Sequence, residues 1–125
     1  KNRNAYKLDS LNRELETRSL TKREEFSGSV SFFHPDVGAC GKKNTDHDFV
    51  CGISKERFGD SPDPNKNPNC GRQIKVTRGS KTVTVTVEDI CTGCHKDDLN
   101  LSPDAFDQIA DQSAGRVDCT WEFLS

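Results

Sequence analysis

The chain contains no methionine, a single tryptophan and a single tyrosine, and only 31% of its 125 residues are hydrophobic. No run of about 18 apolar residues exists, so nothing reads as a membrane-spanning helix. The missing methionine bears on Cys91-Thr92-Gly93-Cys94-His95, which matches the pattern of covalent haem attachment. Haem iron in such proteins takes Met or His as its other axial ligand. His34 and His47 could serve, but a few short strands make a poor haem wrapper. A second CxxC or His pair is also missing, which leaves a zinc site without half its ligands. No repeat and no low-complexity tract occur. These absences point to a protein that uses neither metal nor cofactor.

With so little apolar material, a domain of this size gains from covalent staples. Six cysteines, an even number, read as three disulfides and hence an oxidising, extracellular compartment. The N-terminus has no apolar signal core, so a secreted chain would already have lost its signal.

Charge is unevenly spread. Residues 1–23 carry seven Lys/Arg and three Asp/Glu, net +4; residues 24–125 carry the other eleven and seventeen, net −6. An acidic domain repels phosphate backbones, which argues against a nucleic-acid partner. Residues 1–23 also lack Cys, Gly and Pro, and they end in Lys22-Arg23. The composition break predicts a pro-segment or disordered tail with a dibasic processing site, followed by one domain over residues 24–125. Without an apolar surface patch in the pattern, a monomer is expected.

From Phe26 onward the pattern is β. Ser27–Phe33 is a short apolar strand, and Asp48–Ser54 alternates with Phe49, Cys51 and Ile53 on one face. Ser61–Asn69, with three prolines, is a surface loop. Arg72–Arg78 and Lys81–Glu88 form a hairpin about Gly79-Ser80. Ser102 can cap a helix with Pro103 at its first position, Phe106, Ile109 and Ala110 as its buried stripe, and Gly115 at its end. Arg116–Phe123 closes the domain as a strand. Several short strands and one short helix predict a small barrel.

Strand parity puts Cys51 and Cys119 on apolar faces, which predicts a bond between them inside the barrel. Cys40 and Cys70 each flank a loop and precede a glycine, which pairs them and leaves Cys91 with Cys94.

Asp89 follows Val83, Val85 and Val87 at period two, so its carboxylate is expected to start on the core side at a strand end. Such a group must be hydrogen-bonded or sit in a groove. It reads either as a groove acid or as a cap on the Cys91–Cys94 turn. Phe32, Phe33 and Trp121 read as core or as groove aromatics.

Six segments together resemble expansins: Gly28–Phe33, Gly38–Gly41, Asn44–Val50, Pro68–Gly71, Val85–Cys94 and Asp98–Phe106. The likeness is strongest to the single-domain fungal loosenins, and barwin and kiwellin are similar more remotely. The resemblance covers residues 26–124. It implies a six-stranded double-psi β-barrel with an open polysaccharide groove, and loosening of cellulose or chitin without hydrolysis. Asp89 matches the family's strand-end acid. Ser31 stands where Thr is usual, and Phe32 where a groove Tyr is usual. Asn100 replaces the family's second acid; an amide has no acidic proton to donate. Ser31, Phe32, Asp89, Asp98 and Asn100 are thus the expected glycan contacts. Cys51 and Cys119 look additional to the shorter loosenins, in keeping with a bond between them. Asn100-Leu101-Ser102 is also a glycosylation sequon, disfavoured by Pro103. The competing expectation is a protein-binding barrel, such as a protease inhibitor or secreted effector. Hydrolysis would need Asp97 or Asp98 to replace the lost acid.

Overall fold

The computed structural model describes residues 24–124. The segment 1–23, expected as a basic pro-segment, lies outside the described residues. Six strands close into a barrel in the order β1-β5-β2-β4-β3-β6. They are β1 (Glu25–Phe32), β2 (Val50–Ser54), β3 (Gln73–Arg78), β4 (Lys81–Cys91), β5 (Leu99–Leu101) and β6 (Arg116–Phe123). The β1–β5 and β2–β4 pairs are parallel and the rest antiparallel. This is the expected small barrel, with no free sheet edge.

Local sequence explains most of it. Gly79, at φ 62°, supplies the left-handed residue that a two-residue hairpin turn needs between β3 and β4. Along β4, Val83, Val85 and Val87 are buried while Lys81, Thr82 and Thr84 are exposed. Trp121, Phe106, Ile53, Leu99 and Leu101 fill the interior. Trp121 Nε1 donates to the Asp97 carbonyl at 2.8 Å, so the buried indole leaves no donor unpaired.

The helices differ from the expectation. Among the described residues there are two short α-helices, not one. The unforeseen α1 (Lys55–Phe58) is capped by Ser54 Oγ, which accepts from the Arg57 amide at 3.1 Å. Four residues are too few to show a helical period. The foreseen helix, α2, spans only Pro103–Asp107. Ile109 and Ala110 are buried as expected, but in the turn that follows it. Ser102 stands at the cap position, yet its hydroxyl accepts from the Val50 amide at 3.4 Å, tying helix to β2.

The disulfide framework is smaller than expected. Cys40–Cys70 and Cys91–Cys94 are bonded, whereas Cys51 and Cys119 are free, buried thiols. Parity placed both on inner faces correctly, but it says nothing of which strands are neighbours. In the closed order, β2 and β6 are three strands apart in either direction, on opposite walls. A disulfide needs Cα atoms within about 7 Å, and core side chains fill the space between these walls. Burial pushes the Cys119 thiol up to about 11 and that of Cys51 further still, so both stay protonated and inert.

Candidate functional site

The decisive local feature is a β-bulge in β4. Cys51 pairs with Val87, but the next residue, Gly52, pairs with Asp89, leaving Glu88 as the extra residue. One inserted residue reverses the parity. Asp89 is therefore not on the core side, as strict alternation predicted, but on the outward side. There it joins a register row across five strands: Asp89 opposite Gly52, Gly52 opposite Asn100, Asn100 opposite Ser31, and Ser31 opposite Arg116. Three of the expected contact residues are brought together by the fold.

Gly52 makes this row possible. A Cβ there would collide with Asn100 Oδ1, so the close approach requires glycine. The Gly52 amide donates to Asn100 Oδ1 at 3.0 Å. That bond fixes the side-chain orientation and leaves the Asn100 NH₂ as the outward group, a donor only.

Asp89 is anchored at its strand end by two backbone amides, neither of them within the Cys91–Cys94 turn. Its Oδ1 accepts from the Ile90 amide at 2.7 Å and from the Ala39 amide at 2.9 Å, pinning the Cys40 loop over the strand end. Its other oxygen accepts no hydrogen bond among the described residues and faces outward as an acceptor. Gly38 packs so closely on this carboxylate that a Cβ would lie 2.9 Å from its Cγ.

Asp98 flanks the row. Ser29 and His95 amides donate to its two oxygens at 3.0 and 3.2 Å, and Arg116 stands 3.9 Å away. Burial alone would raise its pKa, but the Ser29 and His95 hydrogen bonds outweigh it and hold the carboxyl below the ordinary range. Asp97 is engaged differently: its Oδ1 accepts from Arg57 at 2.6 and 3.1 Å. Both candidates for a replacement acid are thus engaged by neighbours, Asp97 by Arg57 and Asp98 by two amides.

Phe32 is not brought to this row. It lies in the neighbouring inward row with Leu101, Cys51 and Val87, and its ring packs 5.2 Å from that of Phe106. Trp121 is likewise core. Sequence reasoning missed Gly52 and Arg116 as members of the row. The family segments contain no signal for either, because both emerge only from strand register.

An open depression of about 770 Å³ adjoins the row, with Ser29, His95 and Asp98 in its lining. The Cys91–Cys94 bond braces the turn that carries His95, and it occupies both sulfurs of the haem-like motif.

A double-psi β-barrel family model, described as lytic transglycolase, matches residues 25–121. The chain belongs to this double-psi β-barrel family. Within the family's reach, an Asp f 7 allergen homologue of Arthroderma benhamiae is 32% identical over 77 residues, 61% of this chain. The chain spans only 26% of that allergen's length. The papain inhibitor of Streptomyces mobaraensis is 28% identical over 106 residues, 81% of this chain and 73% of the inhibitor. A solved Streptomyces papain inhibitor superposes with a TM-score of 0.77, at 27% identity, covering 82% of this chain and 96% of the inhibitor. An expansin of Clavibacter michiganensis, solved as a mutant with cellohexaose, superposes with a TM-score of 0.69. At 24% identity, covering 82% of this chain and 51% of the expansin, that likeness shows the double-psi fold.

Proposed function

We propose that this double-psi barrel is a secreted, non-hydrolytic protein that binds β-linked cell-wall polysaccharide, cellulose or chitin, and loosens it. The observation that carries the reading is the outward row of Asp89, Asn100 and Ser31. It presents an acceptor, a donor and a hydroxyl side by side, the set that a polyhydroxylated chain satisfies. Loosening then needs only competition for hydrogen bonds between glycan chains, each worth about 1 kcal/mol net.

Hydrolysis has no support in the same geometry. It requires a second placed acid able to carry a proton. Asn100 has none to give, Asp97 is paired with Arg57, and Asp98 is held ionised. The expansin bound to cellohexaose is in keeping with a glycan ligand on this fold.

A second reading has its own observation. The papain inhibitor is matched over nearly its whole length, and two large apolar residues, Val37 and Phe49, stand exposed here, 65% and 40% accessible. An inhibitor would use such loop residues against a protease. One experiment separates the two. Wild type and Asp89→Asn are tested for sedimentation with cellulose and chitin, for release of reducing sugar, and for inhibition of papain. The glycan reading expects sedimentation that Asp89→Asn weakens, with no sugar released above the buffer control. Papain inhibition that survives Asp89→Asn, without polysaccharide binding, would replace it by the inhibitor reading.

A further inference from the structure

The depression beside the row carries a second inference, which rests on the glycan-binding reading. It lies between two turns, His95–Asp98 on one side and Arg78–Gly79 on the other. Between them, Ser27 stands opposite Thr120 and Thr120 opposite Thr77, one row across β1, β6 and β3. All three line the depression, and none of their hydroxyls bonds to a described residue. Neighbouring strands are about 4.8 Å apart, close to the rise of one β-linked pyranose, so hydroxyls on successive strands meet successive sugar units.

The charges there select the ligand class. Asp98, Asp118 and Arg78 are all in the lining, and Arg116, beside it, donates to Ser29 Oγ at 2.8 Å and stands 3.9 Å from Asp98. Two acids against two guanidinium groups cancel, so neither a polyanion nor a polycation is favoured. No Phe, Tyr or Trp lines the depression, so its polar side chains would hold the ligand by its hydroxyl edges. The Asp98 oxygens, each already accepting one amide, retain a lone pair for a sugar hydroxyl. The depression and the row are continuous: Ser29 and Ser31 share the outward face of β1.

We infer that this depression is a further subsite for a neutral, hydroxylated chain, taking sugar units beyond those held at Asp89, Asn100 and Ser31. The test is an amide NMR titration of the full chain with the trimers and hexamers of both cellulose and chitin. It compares wild type with the double variant Thr120→Val/Ser27→Ala, whose spectrum also reports that it is folded. With one or other glycan, the hexamer should bind at least about fivefold tighter than the trimer, the worth of one net hydrogen bond, and should shift Ser27, Thr77 and Thr120. The double variant should lose that gain and keep the trimer affinity. Equal affinities for the two lengths in wild type, or a hexamer gain that survives the substitutions, would overturn the subsite and leave the first row standing. No shift at either surface with any oligosaccharide would bring down both.

Discussion

Strand β4 is two different structures end to end. From Lys81 to Val87 it alternates without fault, and its valines hold the core. From Glu88 to Cys91 the bulge breaks the alternation, every residue is half-buried, and Asp89 turns outward. The first half is specified by hydrophobic pattern. The second is specified by partners: the Ala39 amide, Gly52 across the ladder, and the disulfide at Cys91. A regular strand can build a core, but turning a carboxylate outward from a core-side position takes an irregularity.

Substitutions in the two halves should therefore fail in different ways. Val87→Asp places an unpaired carboxylate in the core and should cost more than about 4 kcal/mol, enough to abolish cooperative thermal unfolding. A variant that still melted near wild type would show that the valine half is not the core.

The staples make the next contrast. Removing the Cys40–Cys70 bond, by Cys40→Ala with Cys70→Ala, should cost about 2–4 kcal/mol in denaturant unfolding, because it ties the loop that Asp89 pins. The buried pair should behave otherwise. Without reductant, thiol titration should find two reactive groups after denaturation and none before, from Cys51 and Cys119. No thiol after denaturation would restore the third bond.

At the bulged end, Asp89→Asn should weaken glycan binding by about 1–3 kcal/mol, the range for a hydrogen bond to a charged group. Its melting temperature should change little, since an amide oxygen can still accept from Ala39 and Ile90. Equal losses in binding and in stability would make Asp89 a strut only.

The smallest effects are those of pH. The lowered pKa of Asp98 contributes stability that is fully present above the ordinary carboxylate value of about 3.9 and is lost as pH falls through the folded value. Asp98→Asn should flatten the acid limb of a stability–pH curve. His47 has the opposite sign. The hydrogen bond and charge of Asp104 raise its pKa, so its contribution is present below about 6.5 and fades as pH rises through the folded value. Because His47 is fully exposed, only a shift in its own NMR titration midpoint is expected on Asp104→Asn.

The same division describes what could be read from the sequence. The hairpin, β6, the buried stripe of Phe106 and Ile109, and the barrel class follow from periodicity and turn residues. β5 carries no strand signal of its own, since Leu99–Leu101 is too short to show a period; it is a strand because β1 and β2 flank it. The missing Cys51–Cys119 bond fails for the reason that Arg116 and Gly52 escaped notice: pattern gives the face of a strand, while neighbours come only from the closed order. Asp89 stood out from its place at the end of an alternating strand, whereas Ser31 and Asn100 came from motif likeness alone. Their convergence in one outward row depends on a bulge that no residue in Glu88-Asp89-Ile90 announces.

The side-chain NH₂ of Asn100 tests that row most directly, because it gives its own NMR signal and lies between Asp89 and Ser31. On titration with soluble oligomers of cellulose or chitin, the expected result is a saturable shift of that signal and of the Gly52 amide, with the oligosaccharide recovered uncut. If both signals stay fixed while loop amides around Val37 and Phe49 shift on adding a papain-type protease, the row is not the binding face and the barrel is a scaffold for its loops.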